Sequence, residues 1–134
     1  MVIIDNPTKF SVREATQPRA TYQVLASSKL LSGTTYTTAI DTTRWKESSI
    51  YTNISQISGT ASGLTFNMYM EGSPYNDDNW FIMASTTQRN TVGKFYQKTP
   101  VLQTYIANWT RFGIKTLASN DGGIWAQVDI DFVR

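Results

Sequence analysis

Gly123-Ile124-Trp125-Ala126-Gln127-Val128-Asp129-Ile130-Asp131-Phe132-Val133 places Ile124, Ala126, Val128, Ile130 and Phe132 at every second position. Trp125, Gln127, Asp129, Asp131 and Val133 fill the positions between. Successive side chains of a strand point to opposite faces, so this period of two predicts one apolar face and one mostly hydrated face. Asn120-Asp121-Gly122-Gly123 precedes the run with residues that tolerate positive φ, as a tight turn requires. Upstream of the turn, Trp109-Thr110-Arg111-Phe112-Gly113-Ile114-Lys115-Thr116-Leu117 is rich in β-branched and aromatic residues. It is expected as the partner strand of a β-hairpin.

The same pattern extends towards the N-terminus. Thr21 to Ala26, Thr34 to Ile40, Ser48 to Ile57, Leu64 to Glu71, Trp80 to Ala84 and Val92 to Gln97 read as further strands, making about eight. Between them lie Ser32-Gly33, the Asp41-Thr42-Thr43 corner leading to Trp45, Ser58-Gly59-Thr60-Ala61-Ser62-Gly63, and the polar loop Gly72 to Asn79. Leu64, Phe66, Met68 and Met70 are expected inward, with Thr65, Asn67, Tyr69 and Glu71 outward. Short strands punctuated by turns predict an all-β chain, a single antiparallel β-sandwich of jelly-roll or immunoglobulin-like type over residues 21–134. No window longer than ten residues carries a helical period. Residues 1–20, with Asn6-Pro7, Gln17-Pro18 and mixed charges, read either as a loose terminus or as an extended arm that orders against a neighbouring subunit.

The composition excludes much chemistry. A chain of 134 residues suits one domain. The net charge is only +2, and the twelve basic residues are scattered, so nucleic acid is not an expected partner. There is no cysteine and no histidine, which removes the thiol nucleophile, the thiolate metal site and the commonest general base. No stretch has the length of a membrane span, and Met1-Val2-Ile3-Ile4 does not build a secretory signal, so synthesis in the cytoplasm is expected. Asn53-Ile54-Ser55 and Asn108-Trp109-Thr110 match the glycosylation pattern, a chance match in a chain without such a signal.

Three groups of residues could still carry function. Asp77-Asp78-Asn79 has the composition of a calcium loop but lacks the alternating ligand spacing and distal Glu, so no metal and no cofactor are expected. Asp129 and Asp131 stand about 7 Å apart along one strand face, within reach of glycosidase geometry. The face they share with Gln127 and Trp125 nevertheless reads as solvated, which does not suit a catalytic acid, and no enzyme is expected. The aromatic residues are the third group. Trp80, in an apolar run, is expected in the core. Trp125 falls on the outer face, where a large exposed indole marks contact with protein or glycan.

Read from Thr38 to Phe132, the order of elements resembles a class of small β-sandwich structural proteins of tailed bacteriophages, of the capsid-decoration or head-associated type. The residues that carry it are Ala39-Ile40-Asp41-Thr42 before the strand Ile50 to Ile57, then Ser58-Gly59, and then Leu64 to Met70. Gly72-Ser73 with Asp77-Asp78-Asn79-Trp80 follow, and the strands Thr110 to Leu117 and Ile124 to Val133 close the pattern. The resemblance implies a non-enzymatic virion subunit bound to the major capsid protein or other virion subunits, and a homo-oligomer, with a trimer favoured. Phe10, Arg13 and Arg19 on the arm and Trp125 on the sheet are then the expected interface residues. The alternative is a carbohydrate-binding module attaching a virion or an enzyme to a glycan, with Tyr69, Tyr75 and Trp125 as stacking residues.

Overall fold

The computed structural model of the protein describes residues 2–4, 8–13, 19–98 and 108–133, with side chains over 20–98 and 108–133. The described residues form strands and turns with no helix. In chain order the strands are β1 (Val2–Ile4), β2 (Thr8–Arg13), β3 (Arg19–Leu30), β4 (Gly33–Thr37), β5 (Ile40–Asp41) and β6 (Glu47–Ser58). They continue as β7 (Thr65–Ser73), β8 (Phe81–Ser85), β9 (Gly93–Lys98), β10 (Trp109–Leu117) and β11 (Gly123–Val133). One sheet runs β1-β4-β10-β7-β8, with β5 also paired to β10; the other runs β2-β3-β11-β6-β9. All pairings are antiparallel except that of β1 with β4. The chain is an all-β sandwich.

Alternation builds the core. Ile50, Thr52 and Ile54 of β6, Phe66, Met68 and Met70 of β7, and every even-numbered residue from Ile124 to Phe132 of β11 are buried. Phe132 is the hub: Phe112 from the other sheet lies 6.4 Å away, Tyr22 meets it edge-on at 5.7 Å, and Trp45 stacks on it at 6.3 Å. Aromatic pairs at such separations add to the stabilisation from buried area alone.

The expected hairpin of the last two strands is not formed. β10 pairs with β4, β5 and β7, while β11 pairs with β3 and β6, so residues 118–122 cross from one sheet to the other. The physical reason lies in the apolar faces. Phe112 and Ile114 on β10 and Ile130 and Phe132 on β11 are fully buried in facing sheets, with the Phe112 and Phe132 rings 6.4 Å apart across the sandwich. The crossing needs no positive φ at Gly122 or Gly123; those values fall at Gly33, Gly59, Gly63 and Asn76. Gly122 is required by space instead, since a Cβ there would stand 2.1 Å from the Ser58 carbonyl oxygen.

Two further expectations change. The eight strands read from the sequence correspond to β3, β4 and β6 to β11, and β1, β2 and the short β5 join them. The described part of residues 1–20 is thus sheet: β1 pairs with β4 and β2 with β3. The Trp80 to Ala84 run, expected to be mostly buried, is an edge strand bulged against β7. Only Ala84 is fully buried; Phe81 and Ile82 are 64% and 63% exposed, and Trp80 is half-buried.

Candidate functional site

The outer face of the β3-β11-β6-β9 sheet sets exposed aromatic rings beside polar side chains and an open depression. The register lines its side chains up in rows across the strands. Asp129 of β11 stands opposite Gln23 of β3 and Tyr51 of β6, and Tyr51 stands opposite Tyr96 of β9. The row below joins Gln127, Asn53 and Lys94; the row above joins Thr21, Asp131, Ser49 and Lys98. With strands about 4.8 Å apart, the face from β3 to β9 is roughly 14 Å wide.

Tyr51 and Tyr96 dominate this face. They are 45% and 56% exposed, and their ring centroids lie 5.2 Å apart with the planes tilted by 55°. The Tyr96 hydroxyl is 3.2 Å from Ser49 Oγ, which fixes one ring. Beside the pair is an open depression of about 220 Å³ lined by Tyr51, Thr52, Asn53, Lys94, Phe95, Tyr96 and Asp129. Some polar groups on this face are held: Gln127 Nε2 donates to Asp129 Oδ2 at 3.1 Å, and Thr21 Oγ1 donates to Asp131 Oδ1 at 3.3 Å. Asp129 Oδ1 is closed off from solvent with no hydrogen-bond partner, as is Asn67 Oδ1 on β7. A buried acceptor left without a donor costs on the order of 1–3 kcal/mol.

The residues expected to stack on glycan are not brought together. Trp125 is on this same outer face but half-buried, with Lys29 Nζ 5.3 Å from its ring centroid. Tyr69 lies on the outer face of the opposite sheet, between Gly113 and Ser85 in register. Tyr75 projects from the β7–β8 loop at 80% exposure, beside Asn76 at φ 52°. Of the expected interface residues, Phe10 and Arg13 belong to β2 and Arg19 opens β3; their side chains lie outside the described residues. Sequence reading missed Tyr51 and Tyr96. Both occupy the outward phase of their strands, but their meeting depends on β6 (Glu47–Ser58) pairing with the distant β9 (Gly93–Lys98), which no local pattern reveals.

The outer face of the other sheet has a different character. Arg111 of β10 bonds Glu71 of β7 at 2.6 Å, and its guanidinium lies 4.3 Å from the Tyr36 ring and 4.7 Å from the Trp80 ring. The cation is sandwiched and paired, a structural clamp that holds Trp80 over the sheet. The acidic loop is likewise engaged internally. Asp77 accepts from the Asn79 backbone N–H at 2.9 Å, Asn79 Nδ2 at 3.2 Å and Ser73 Oγ at 3.3 Å, bonds that hold its carboxyl below the usual range. Among the described residues no group of three metal-ligating side chains comes together.

No family model matches the chain, and no curated protein matches it. Among solved structures the chain is similar to a non-crystalline cellulose specific carbohydrate-binding module, CBM28, at 14% identity and a TM-score of 0.40. That similarity covers 95% of this chain and 71% of the other.

Proposed function

We propose that the protein is a non-catalytic binding module that holds a saccharide on the outer face of the β3-β11-β6-β9 sheet. The observation that carries this reading is the exposed Tyr51–Tyr96 pair beside a polar depression. A phenol ring offers an apolar face for the C–H side of a sugar ring and a hydroxyl for its rim. Asn53, Lys94 and Asp129 supply a donor-acceptor group, a donor and an acceptor within the same depression. Strand β6 beneath is paired on both sides, with β11 and with β9, which preorganises the platform. Tyr51→Ala and Tyr96→Ala are each expected to weaken retention on a polysaccharide affinity gel by up to about tenfold, from roughly 0.5–1.5 kcal/mol per ring contact. Unchanged migration of both variants on every gel that retards the parent would overturn the assignment to this face.

A second reading has its own observation. A virion structural subunit, most plausibly a capsid decoration protein, would bind its neighbours through apolar sheet surface. Phe81 and Ile82, exposed on the open edge β8, offer such surface. A stable trimer in solution, lost on Ile82→Lys, would favour this reading; a monomer at all concentrations would count against it.

A further inference from the structure

We infer that the depression beside Tyr51 and Tyr96 selects uncharged, hydroxyl-rich saccharides over anionic and cationic ones, with Asp129 and Lys94 as the selecting pair. The inference rests on the glycan-binding reading and names its substrate class. Asp129 and Lys94 line the same depression, and each is restricted in what it accepts. The carboxylate oxygens only accept hydrogen bonds and the ammonium only donates them. Asp129 Oδ2 is already held by Gln127, and Oδ1 has no partner. Lys94 is exposed on edge strand β9, and Lys98 of the same strand pairs with Glu47 at 3.7 Å.

A uronate or sulfate brought into this space would meet Lys94 but carry negative charge against Asp129. An amino sugar would meet Asp129 but carry positive charge against Lys94. For either class the attraction to one member of the pair is offset by repulsion from the other, so a charged sugar gives up its hydration without a net electrostatic gain. A neutral sugar escapes this cost. One of its hydroxyls donates to Asp129 Oδ1 while another accepts from Lys94, and the ring lies on tyrosine. Oδ1 is covered in the free protein, and rotation about the broad terminal torsion of the aspartate brings it to the incoming hydroxyl as Oδ2 leaves the Gln127 amide.

The test is calorimetric titration of the whole protein with cellohexaose, xylohexaose and mannohexaose as neutral probes, hexagalacturonate as the anion and chitosan hexamer as the cation. At least one neutral probe is expected to bind roughly tenfold or more tightly than either charged one, the scale of a hydrogen bond to a charged group. Asp129→Asn is expected to weaken the neutral probe and raise the affinity for hexagalacturonate; Lys94→Met is expected to raise that for chitosan hexamer. Circular dichroism melts of both variants check the fold, and the parent protein's ranking tests the inference even if a variant unfolds. A charged probe bound as tightly as the neutral ones, with binding lost on Tyr51→Ala, would overturn the selection and leave the glycan-binding reading standing. No binding of any of the five probes would overturn the reading itself, and the selection with it.

Discussion

Two adjacent residues in the 118–122 crossing show how much of this fold is set by single atoms. Gly122 carries a negative φ that any residue could adopt, yet a Cβ would lie 2.1 Å from the Ser58 carbonyl oxygen and 2.7 Å from the Gly59 nitrogen. Those are backbone atoms and cannot swing aside. Gly122→Ala is therefore expected to destabilise the protein by about 1–3 kcal/mol, the usual cost of overpacking, read as a lower urea midpoint with unchanged slope. Asp121 ties the same crossing to the β6–β7 connection. Its carboxylate accepts from the Thr60 N–H at 3.0 Å, from the Thr60 hydroxyl at 2.8 Å and from the Ser119 hydroxyl. Hydrogen bonds from Ser119 and then Thr60 lower its pKa from 3.8 to about 2. A carboxyl that titrates lower folded than unfolded stabilises the fold fully above the unfolded value and loses that contribution as pH falls through the folded one. Thermal stability is thus expected to decline between about pH 4 and pH 2. Asp121→Asn should flatten part of that decline, and an identical acid profile for the variant would contradict the role.

At the scale of the element, local alternation was legible and partnership was not. β6, β7 and β11 announce their buried faces because side-chain direction in a strand depends only on the neighbouring residues. Which strand lies beside which depends on long-range burial, so the β10–β11 hairpin suggested by Asn120-Asp121-Gly122-Gly123 gave way to a crossing between sheets. The candidate site suffered in the same way. Trp125 was visible as an outward indole, whereas Tyr51 and Tyr96 became a pair only through β6–β9 pairing. The outward phase can also mislead about exposure: Glu71, on the outer side of β7, is buried under its pairing with Arg111. Arg111→Met would leave that carboxylate unpaired, an expected loss of about 3 kcal/mol, and Glu71→Gln in the same chain should recover part of it. Chemical denaturation of the single and double variants measures both. On β8, Ile82 touches water, so Ile82→Lys should change stability by no more than about 0.5 kcal/mol while reducing edge association in light scattering.

The whole molecule presents two outer sheet faces that share one core and differ in chemistry. On the β4-β10-β7 side, the Arg111 cation is consumed between Tyr36, Trp80 and Glu71. On the β3-β11-β6-β9 side, the exposed ring faces of Tyr51 and Tyr96 stand beside Asp129, whose Oδ1 has no hydrogen-bond partner. Each face keeps a buried acceptor without a hydrogen-bond partner, Asn67 Oδ1 on β7 and Asp129 Oδ1 on β11, and the β11 one belongs to a depression lined by exposed tyrosines, where a ligand can be held. Backbone amide chemical-shift mapping by NMR, with the neutral hexasaccharides added in turn, tests this most directly. Shifts clustered on Tyr51, Asn53, Lys94, Tyr96 and Asp129 are the predicted result. Shifts confined to the β8 edge or the β4-β10-β7 face, or none with any saccharide, would contradict it.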